Sequence, residues 1–403
     1  MELQAHREVA SVAGVRLSAY AAGIRYKDRN DLVLMEVAEG GTCAAVFTTN
    51  AFCAAPVIVA REHLASGSPR YLLINSGNAN AGTGETGLRA SRETCRFLAA
   101  AAGCAMNQVL PFSTGVIGQD LPVERFATAM PDLISGLSEQ GWEEAARAIM
   151  TTDTVPKLTS RRLDLGGKAV TITGMAKGSG MIRPDMATML AYLATDAQVS
   201  KAVLQQCLEK AVAPSFNSIT VDGDTSTNDA CVLLASGRSG VAVADLESEE
   251  GRAFAAAVED VCMELARTIV RDGEGATKLV EVVVTEAASL AEARDVAYTV
   301  AHSPLVKTAL FASDPNWGRI LAAVGRAPVP GLAVEGIRIW LDDVCIVSNG
   351  GRDPGYSEEA GQGVMDRPEF QIRIALGRGA AETKVLTCDF SFDYVKINAE
   401  YRS

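Results

Sequence analysis

Short apolar runs broken by glycine and asparagine dominate the first third of the chain. Leu32 to Val37, Ala44 to Thr48, Pro56 to Ala60 and Tyr71 to Asn75 each have the length and bounding residues of a strand. Apolar residues then recur at helical spacing over Leu88 to Ala102, Val123 to Leu137 and Trp142 to Met150. Alternation returns in Arg161 to Leu165 and Lys168 to Thr173, and the pair Gly166-Gly167 between them predicts a two-residue hairpin turn.

Beyond that hairpin the pattern predicts a buried strand over Met189 to Ala194, an amphipathic helix over Lys201 to Val212 and a strand over Ala230 to Ala235. The longest helical pattern runs from Ser248 to Val270. Ser248 suits its N-cap, two glutamates follow in the first turn, and Asp272-Gly273-Glu274-Gly275 stops it. Strands are expected at Lys278 to Thr285, Ile337 to Val347, Phe370 to Leu376 and Lys384 to Ile397, with a glycine-rich loop from Gly350 to Gly363. The pattern predicts an α+β protein of mixed α/β character, with layered sheets covered by helices. No repeat or low-complexity linker divides it, so a boundary near Ala187 reads as a cut within one fold.

Composition narrows the chemistry. The 403 residues are 48% hydrophobic, 21% charged and only 5% aromatic, the profile of a globular enzyme with a small-residue aliphatic core. A net charge of −12 without a basic cluster argues against a nucleic-acid partner. Nine scattered cysteines with no C-x-x-C pair predict reduced thiols in a cytoplasmic protein. The start shows no apolar signal region and no later run is long enough to span a membrane. With three histidines, His6, His63 and His302, a zinc site or a Ser-His-Asp triad has few candidates, and neither a phosphate-binding lysine loop nor a dinucleotide fingerprint is present. The expectation is no metal and no bound cofactor.

A histidine-free mechanism has a candidate in the run from Lys177 to Leu190, where Gly178, Gly180 and Pro184 punctuate a turn that leads through Ala187-Thr188 into an apolar strand. A threonine after a small residue, where a tight loop becomes a strand, can attack its own preceding carbonyl and emerge as a new N-terminus. A free α-amine titrates near about 7.7 to 8.0, so such a threonine carries its own base. The competing reading is a Gly-Pro turn before an ordinary strand.

Several longer motifs bear on that choice: Met175-Ala176-Lys177-Gly178-Ser179-Gly180-Met181-Ile182, Met186-Ala187-Thr188-Met189-Leu190 and Asp222-Gly223-Asp224-Thr225-Ser226-Thr227-Asn228-Asp229. With Asn75-Ser76-Gly77-Asn78-Ala79-Asn80 early, Ser313-Asp314-Pro315-Asn316-Trp317-Gly318-Arg319 late and Asn398-Ala399-Glu400-Tyr401-Arg402-Ser403 at the end, they closely resemble the ornithine acetyltransferase family, also called glutamate N-acetyltransferase, of arginine biosynthesis. The resemblance spans nearly the whole chain. It implies cleavage between Ala187 and Thr188, giving an upstream chain 1–187 and a downstream chain 188–403 that interleave in one fold, and assembly as two upstream with two downstream chains. It also implies layered packing similar to that of N-terminal nucleophile hydrolases and related aminopeptidases.

Carried onto this sequence, the resemblance makes Thr188 the nucleophile that takes acetyl from N-acetyl-ornithine and passes it to glutamate. It makes the Thr114 hydroxyl and the Gly115 amide the oxyanion hole. Thr154, Lys177, Thr188, Glu274, Asn398 and Ser403 become the substrate-binding set, with Thr151 and Thr152 as alternatives to Thr154 and the terminal carboxylate as an alternative to the Ser403 hydroxyl. Each also has a plain structural reading: a Thr-Gly turn at Thr114, a solvated Lys177, a helix-end charge at Glu274. Two positions depart from the family pattern, Asp185 where asparagine is usual and Ala230 where a hydroxyl residue is common. Acetyl-CoA is a further candidate acetyl donor. A peptidase using the same threonine, or an amino-acid-binding regulator without catalysis, are the competing functions.

Overall fold

The computed structural model describes residues 9–183 and 189–400. Ala187, Thr188 and Ser403, three of the residues singled out above, lie outside the described residues. The described residues form two compact units, one comprising 9–183, 189–217 and 224–269, the other 218–223 and 270–400.

The larger unit stacks two sheets between helices. One sheet has the strand order Val15–Tyr20, Leu32–Val37, Tyr71–Asn78, Val109–Val116, its last pair parallel. The other runs Thr42–Phe47, Ala230–Ala235, Leu190–Thr195, Lys168–Lys177, Lys157–Leu165. Several strands are buried along their whole length and therefore read as nearly continuous apolar runs, broken only by Glu36 and Thr195. Val33, Met35, Leu72, Ile74 and Phe112 of the first sheet meet Ala45, Tyr192, Ala194, Val232 and Leu234 of the second in one core. There Phe112 and Tyr192 pack edge to face with ring centroids 5.3 Å apart.

Helices Gly84–Ala102 and Val123–Ser135 cover the outer face of the first sheet through Cys95, Leu98, Phe126 and Met130. On the second sheet the Gln205 side chain of helix Lys201–Val212 bonds both backbone groups of Ala45 at 3.2 Å. Helix Glu249–Arg271 brings Val261 and Leu265 so close to Gly174 that a side chain there would collide with them. The layering is thus helix, sheet, sheet, helix. Ser248 caps the long helix by accepting from the Gly251 amide at 3.1 Å, as its sequence suggested.

The smaller unit is built on one six-stranded sheet with the order Gly351–Arg352, Val344–Ser348, Arg338–Leu341, Glu369–Ala375, Leu279–Ala287, Ala381–Cys388. Helices Leu290–Ala301 and Trp317–Gly325 bury Val296, Val300, Ile320 and Val324 in its core.

Four sequence expectations are corrected. Ile337 to Val347 is not one strand but a hairpin, Arg338–Leu341 paired antiparallel with Val344–Ser348 across a turn in which Asp342 adopts φ 47°. Pro56 to Ala60 is not a strand but the start of helix Ala55–Ser66, because a proline in the first turn is preorganised for helix and the buried positions continue at helical spacing to His63. The expected strand ends at Cys388, and Ser391 then caps helix Phe392–Ala399; Phe390, Phe392 and Tyr394 at every second position mimicked a strand's alternation, although Phe392 is 83% exposed. The glycine-rich loop contains helix Glu358–Met365, capped by Ser357. The helices Leu290–Ala301, Pro304–Phe311 and Trp317–Gly325 had no counterpart in the sequence reading. In the last of these, Asn316 of the Asp314-Pro315-Asn316 motif is the N-cap, accepting from the Arg319 amide at 3.0 Å.

Candidate active site

In the larger unit the candidate chemistry gathers at the end of strand Val109–Val116. The ladder with Tyr71–Asn78 shifts register at Gly77 and Asn78, so that Asn78 stands opposite both Thr114 and Val116 with Gly115 at the bulge between them. Gly115 adopts φ +132°, and a Cβ there would lie 2.3 Å from the Gly77 carbonyl carbon, so only glycine fits this crossing of two backbones.

A set of amide side chains holds this strand end. Asn228 Nδ2 donates to the carbonyls of Ser113 at 3.0 Å and Ala79 at 2.6 Å, and the Ser113 hydroxyl donates to Asn75 Oδ1 at 2.6 Å. Asn78 Oδ1 accepts from the Asn80 amide at 2.7 Å while Asn80 sits at φ 46°. The Asn75 to Asn80 motif therefore serves as the frame on which Thr114 rests. Sequence reading found the motif without its role.

Lys177 ends strand Lys168–Lys177, where it pairs with Leu190, two residues past Thr188 in the chain. Its Nζ donates to the Thr114 hydroxyl at 3.3 Å. An ammonium only donates, so the hydroxyl spends a lone pair on Lys177 and keeps its own hydrogen for a third atom. The competing reading of Lys177 as a solvated surface side chain is not met, since only 10% of that side chain is exposed.

Asp153, which lies between Thr152 and Thr154 and to which the sequence assigned no role, is the hub beneath. Its carboxylate bonds Lys157 Nζ at 2.7 Å, accepts from the amides of Gly178 at 2.7 Å and Thr151 at 3.0 Å, and stands 4.0 Å from Lys177 Nζ. Burial by itself would raise its pKa, but Lys157 and then Lys177 outweigh burial and hold it well below the usual carboxylate range. Asp229 behaves oppositely: burial drives its carboxyl far above that range, with only partial opposition from Ser226 and Lys177, and its Oδ2 has no hydrogen-bond partner among the described residues. Next to Asp153, Thr154 is exposed.

The smaller unit holds the other predicted pair. Glu274 is buried, and its Oε2 accepts from Asn398 Nδ2 at 2.7 Å. Gly275 turns at φ +67°, and a Cβ there would be 2.5 Å from the Ser391 hydroxyl, so the turn packs directly on the start of the helix that carries Asn398. Asn398 also donates to the Tyr394 carbonyl at 3.0 Å, which aims its amide at Glu274 from within its own helix. Thr114, Gly115 and Lys177 are thus brought together in one unit, and Glu274 with Asn398 in the other.

Among the described residues no group of three or more His, Cys, Asp or Glu is placed to share a metal ion, and no helix is long and apolar enough to cross a membrane. All nine cysteines are free thiols.

The sequence matches the model of the ArgJ family over residues 16–403. It is 59% identical to the arginine biosynthesis bifunctional protein ArgJ of Methylococcus capsulatus over 392 residues, covering 97% of this chain and 96% of that protein. The protein of the same name from Psychrobacter arcticus is 56% identical over 393 residues, covering 97% of each. A crystal structure of ArgJ from Bacillus halodurans is 39% identical, covers 51% of this chain and 95% of its own, and has a TM-score of 0.48.

Proposed function

The chain belongs to the ArgJ family, and on that premise we propose that it is an acyltransferase of arginine biosynthesis, moving acetyl from N-acetyl-ornithine to glutamate. In this reading the chain cuts itself between Ala187 and Thr188, and the Thr188 hydroxyl, with its own α-amine as base, attacks the acetyl carbonyl. Ornithine leaves with the proton on its nitrogen, an acetyl ester remains on Thr188, and the amine of glutamate attacks that ester and restores the hydroxyl. No metal or bound cofactor takes part.

The observation that carries the reading is the Lys177 to Thr114 contact at 3.3 Å beside the bulged Gly115. A hydroxyl whose lone pair is taken by an ammonium presents its hydrogen outward, and with the Gly115 amide it forms a two-donor cradle for the oxygen that becomes negative in the tetrahedral intermediate. Lys177 adds positive charge at the same point. Thr154 and Lys177 serve one end of the substrate. Glu274 and Asn398 supply an anion and an amide that suit an amino-acid head group, and Ser403 completes the set.

The mature enzyme in this proposal is cytoplasmic and pairs two upstream with two downstream chains. Relatives bear the word bifunctional in their names, and acetyl-CoA is proposed as a second donor to the same Thr188.

Protein purified from expression of the full chain should yield two polypeptides, the second beginning Thr188-Met189-Leu190, and should transfer acetyl from N-acetyl-ornithine to glutamate without coenzyme A. Thr188→Ala should give one uncut, inactive polypeptide. A cleaved and active Thr188→Ala would sink the proposal, and peptide hydrolysis without transfer would favour a peptidase using the same residue.

A further inference from the structure

In the larger unit the loop 21–30 joins strands Val15–Tyr20 and Leu32–Val37 and lies beside the proposed oxyanion corner. Asp31 folds it by accepting the amides of Ala22 at 2.9 Å, Gly23 at 3.1 Å and Arg25 at 3.3 Å. Arg25 and Tyr26 rest on Gly77, where a Cβ would stand 2.6 Å from Arg25 Cβ and 3.2 Å from Tyr26 Cε2, and Gly77 is the ladder partner of Gly115. Further along, Arg29 stacks its guanidinium 4.0 Å from the centre of the Tyr26 ring and donates to the carbonyl of Met150, which precedes the run Thr151 to Thr154. The loop is thus clamped at two points on the rim of the site, so that little ordering remains to be done when a ligand binds.

What the loop presents outward is cationic. Arg25 is exposed, and its guanidinium makes one bond among the described residues, a long 3.5 Å contact with Gln119 Oε1. Lys27 is exposed and has no hydrogen bond or ion pair among the described residues. Arg125, in the first turn of helix Val123–Ser135, lays its guanidinium against Gly23, where a Cβ would be 2.8 Å from Nη1. Asp28 and Asp120 are the exposed acidic neighbours in sequence, and neither pairs with Arg25 or Lys27.

The chemistry of the two acetyl donors separates the anions they could bring here. In N-acetyl-ornithine only the amide nitrogen and the α-carbon stand between the acetyl carbon and the carboxylate, so with the acetyl oxygen on Thr114 and Gly115 that carboxylate must bind within the site. The phosphates of acetyl-CoA lie at the far end of the pantetheine arm and need cations beyond the rim. A guanidinium fork matches a phosphate with two parallel hydrogen bonds. We propose that the loop 21–30 is the binding site for the phosphate groups of acetyl-CoA, with Arg25 as its anchor and Lys27 beside it. The inference rests on the reading of acetyl-CoA as a second donor.

Transfer to glutamate from three donors tests it: acetyl-CoA, acetyl-pantetheine, which carries the same thioester without the nucleotide and its phosphates, and N-acetyl-ornithine. In Arg25→Ala with Lys27→Ala, KM for acetyl-CoA should rise about 10-fold or more with kcat nearly kept, while both constants for the other two donors stay within about 2-fold. Arg25→Lys should fall between, since it keeps the charge and loses the fork. An unchanged KM for acetyl-CoA overturns the proposal. A matching rise with acetyl-pantetheine or N-acetyl-ornithine also overturns it and makes the loop a support of the site itself. If the unaltered enzyme uses N-acetyl-ornithine but not acetyl-CoA, the second-donor reading fails, and calorimetric titration with coenzyme A decides the loop separately. Binding weakened about 10-fold in the double variant then upholds the phosphate site, whereas equal binding or none overturns it.

Discussion

Lys157 and Lys307 are both stripped of solvent, one in each unit, and the two units treat them differently. Lys157 meets the Asp153 carboxylate at 2.7 Å in an ion network that reaches the candidate site. Lys307 is held by neutral acceptors, the Thr387 hydroxyl at 3.0 Å and the Cys388 carbonyl, with its Nζ 4.5 Å from the centre of the Phe390 ring. Burial pushes its amine below the usual value, although Cys388, Asp389 and Asp222 pull the other way. The first lysine belongs to a field aimed at chemistry. The second pins helix Pro304–Phe311 to strand Ala381–Cys388. A buried cation therefore signals function only when its counter-charge leads somewhere.

The largest effect expected from breaking this contrast is at Asp153. Asp153→Ala removes the buried carboxylate that Lys157 bonds and Lys177 faces and should cost about 3–5 kcal/mol of stability, seen as a lower midpoint in urea unfolding. A loss under about 1 kcal/mol would show that the ion network is not where the larger unit holds its charge.

Next comes Thr114→Ala, which removes one oxyanion donor and should lower kcat by roughly 100-fold with little change in KM. Asn398→Ala in the smaller unit should do the reverse, raising KM more than it lowers kcat, because it leaves Glu274 to bind an amino group by itself. If both variants changed kcat alone, the division between a transition-state corner and a binding turn would fail.

The smallest effect is expected at Lys307. Lys307→Met replaces a desolvated amine by an apolar chain of similar length and should change stability by no more than about 1–2 kcal/mol, with acetyl transfer retained. The pH dependence separates the two lysine sites further. Asp153 has a depressed native pKa, so the unfolded chain binds more protons: its contribution is full above about 3.9 and is lost as pH falls below that toward the native value. Lys307 is also depressed, so its contribution is full above about 10.4 and shrinks as pH falls through the native value. Both slopes rise with pH, in separate windows. Denaturant midpoints should show the alkaline slope flattened in Lys307→Met and the acid slope untouched.

The sheets were legible because full burial makes their strands nearly continuous apolar runs: Leu32–Val37 is interrupted only by Glu36, Leu190–Thr195 is apolar up to its final threonine, and Ala230–Ala235 is apolar throughout. The hairpin at Gly166-Gly167 was legible from its turn. Helix Phe392–Ala399 was not, since a short helix with two exposed apolar residues carries no amphipathic period. The helices between 290 and 325 are only 12, 8 and 9 residues long, short enough for their apolar runs to be confused with buried strands. Of the site, Thr114, Gly115, Lys177, Glu274 and Asn398 stood out through motif resemblance. Asp153 stood among its threonines unnoticed, because a carboxylate's role depends on which cations fold against it.

What the sequence determined by itself is local: where strands and helices run, where glycine alone permits the backbone, and which residue types are available for acyl transfer. Which of them act together was decided by tertiary structure. Lys157 and Lys177 are separated by 20 positions and lie on paired antiparallel strands, Asp153 precedes both, and Thr114 belongs to the other sheet. Electrostatic coupling depends on distance in space and on the exclusion of water, and neither exists until the sheets are stacked.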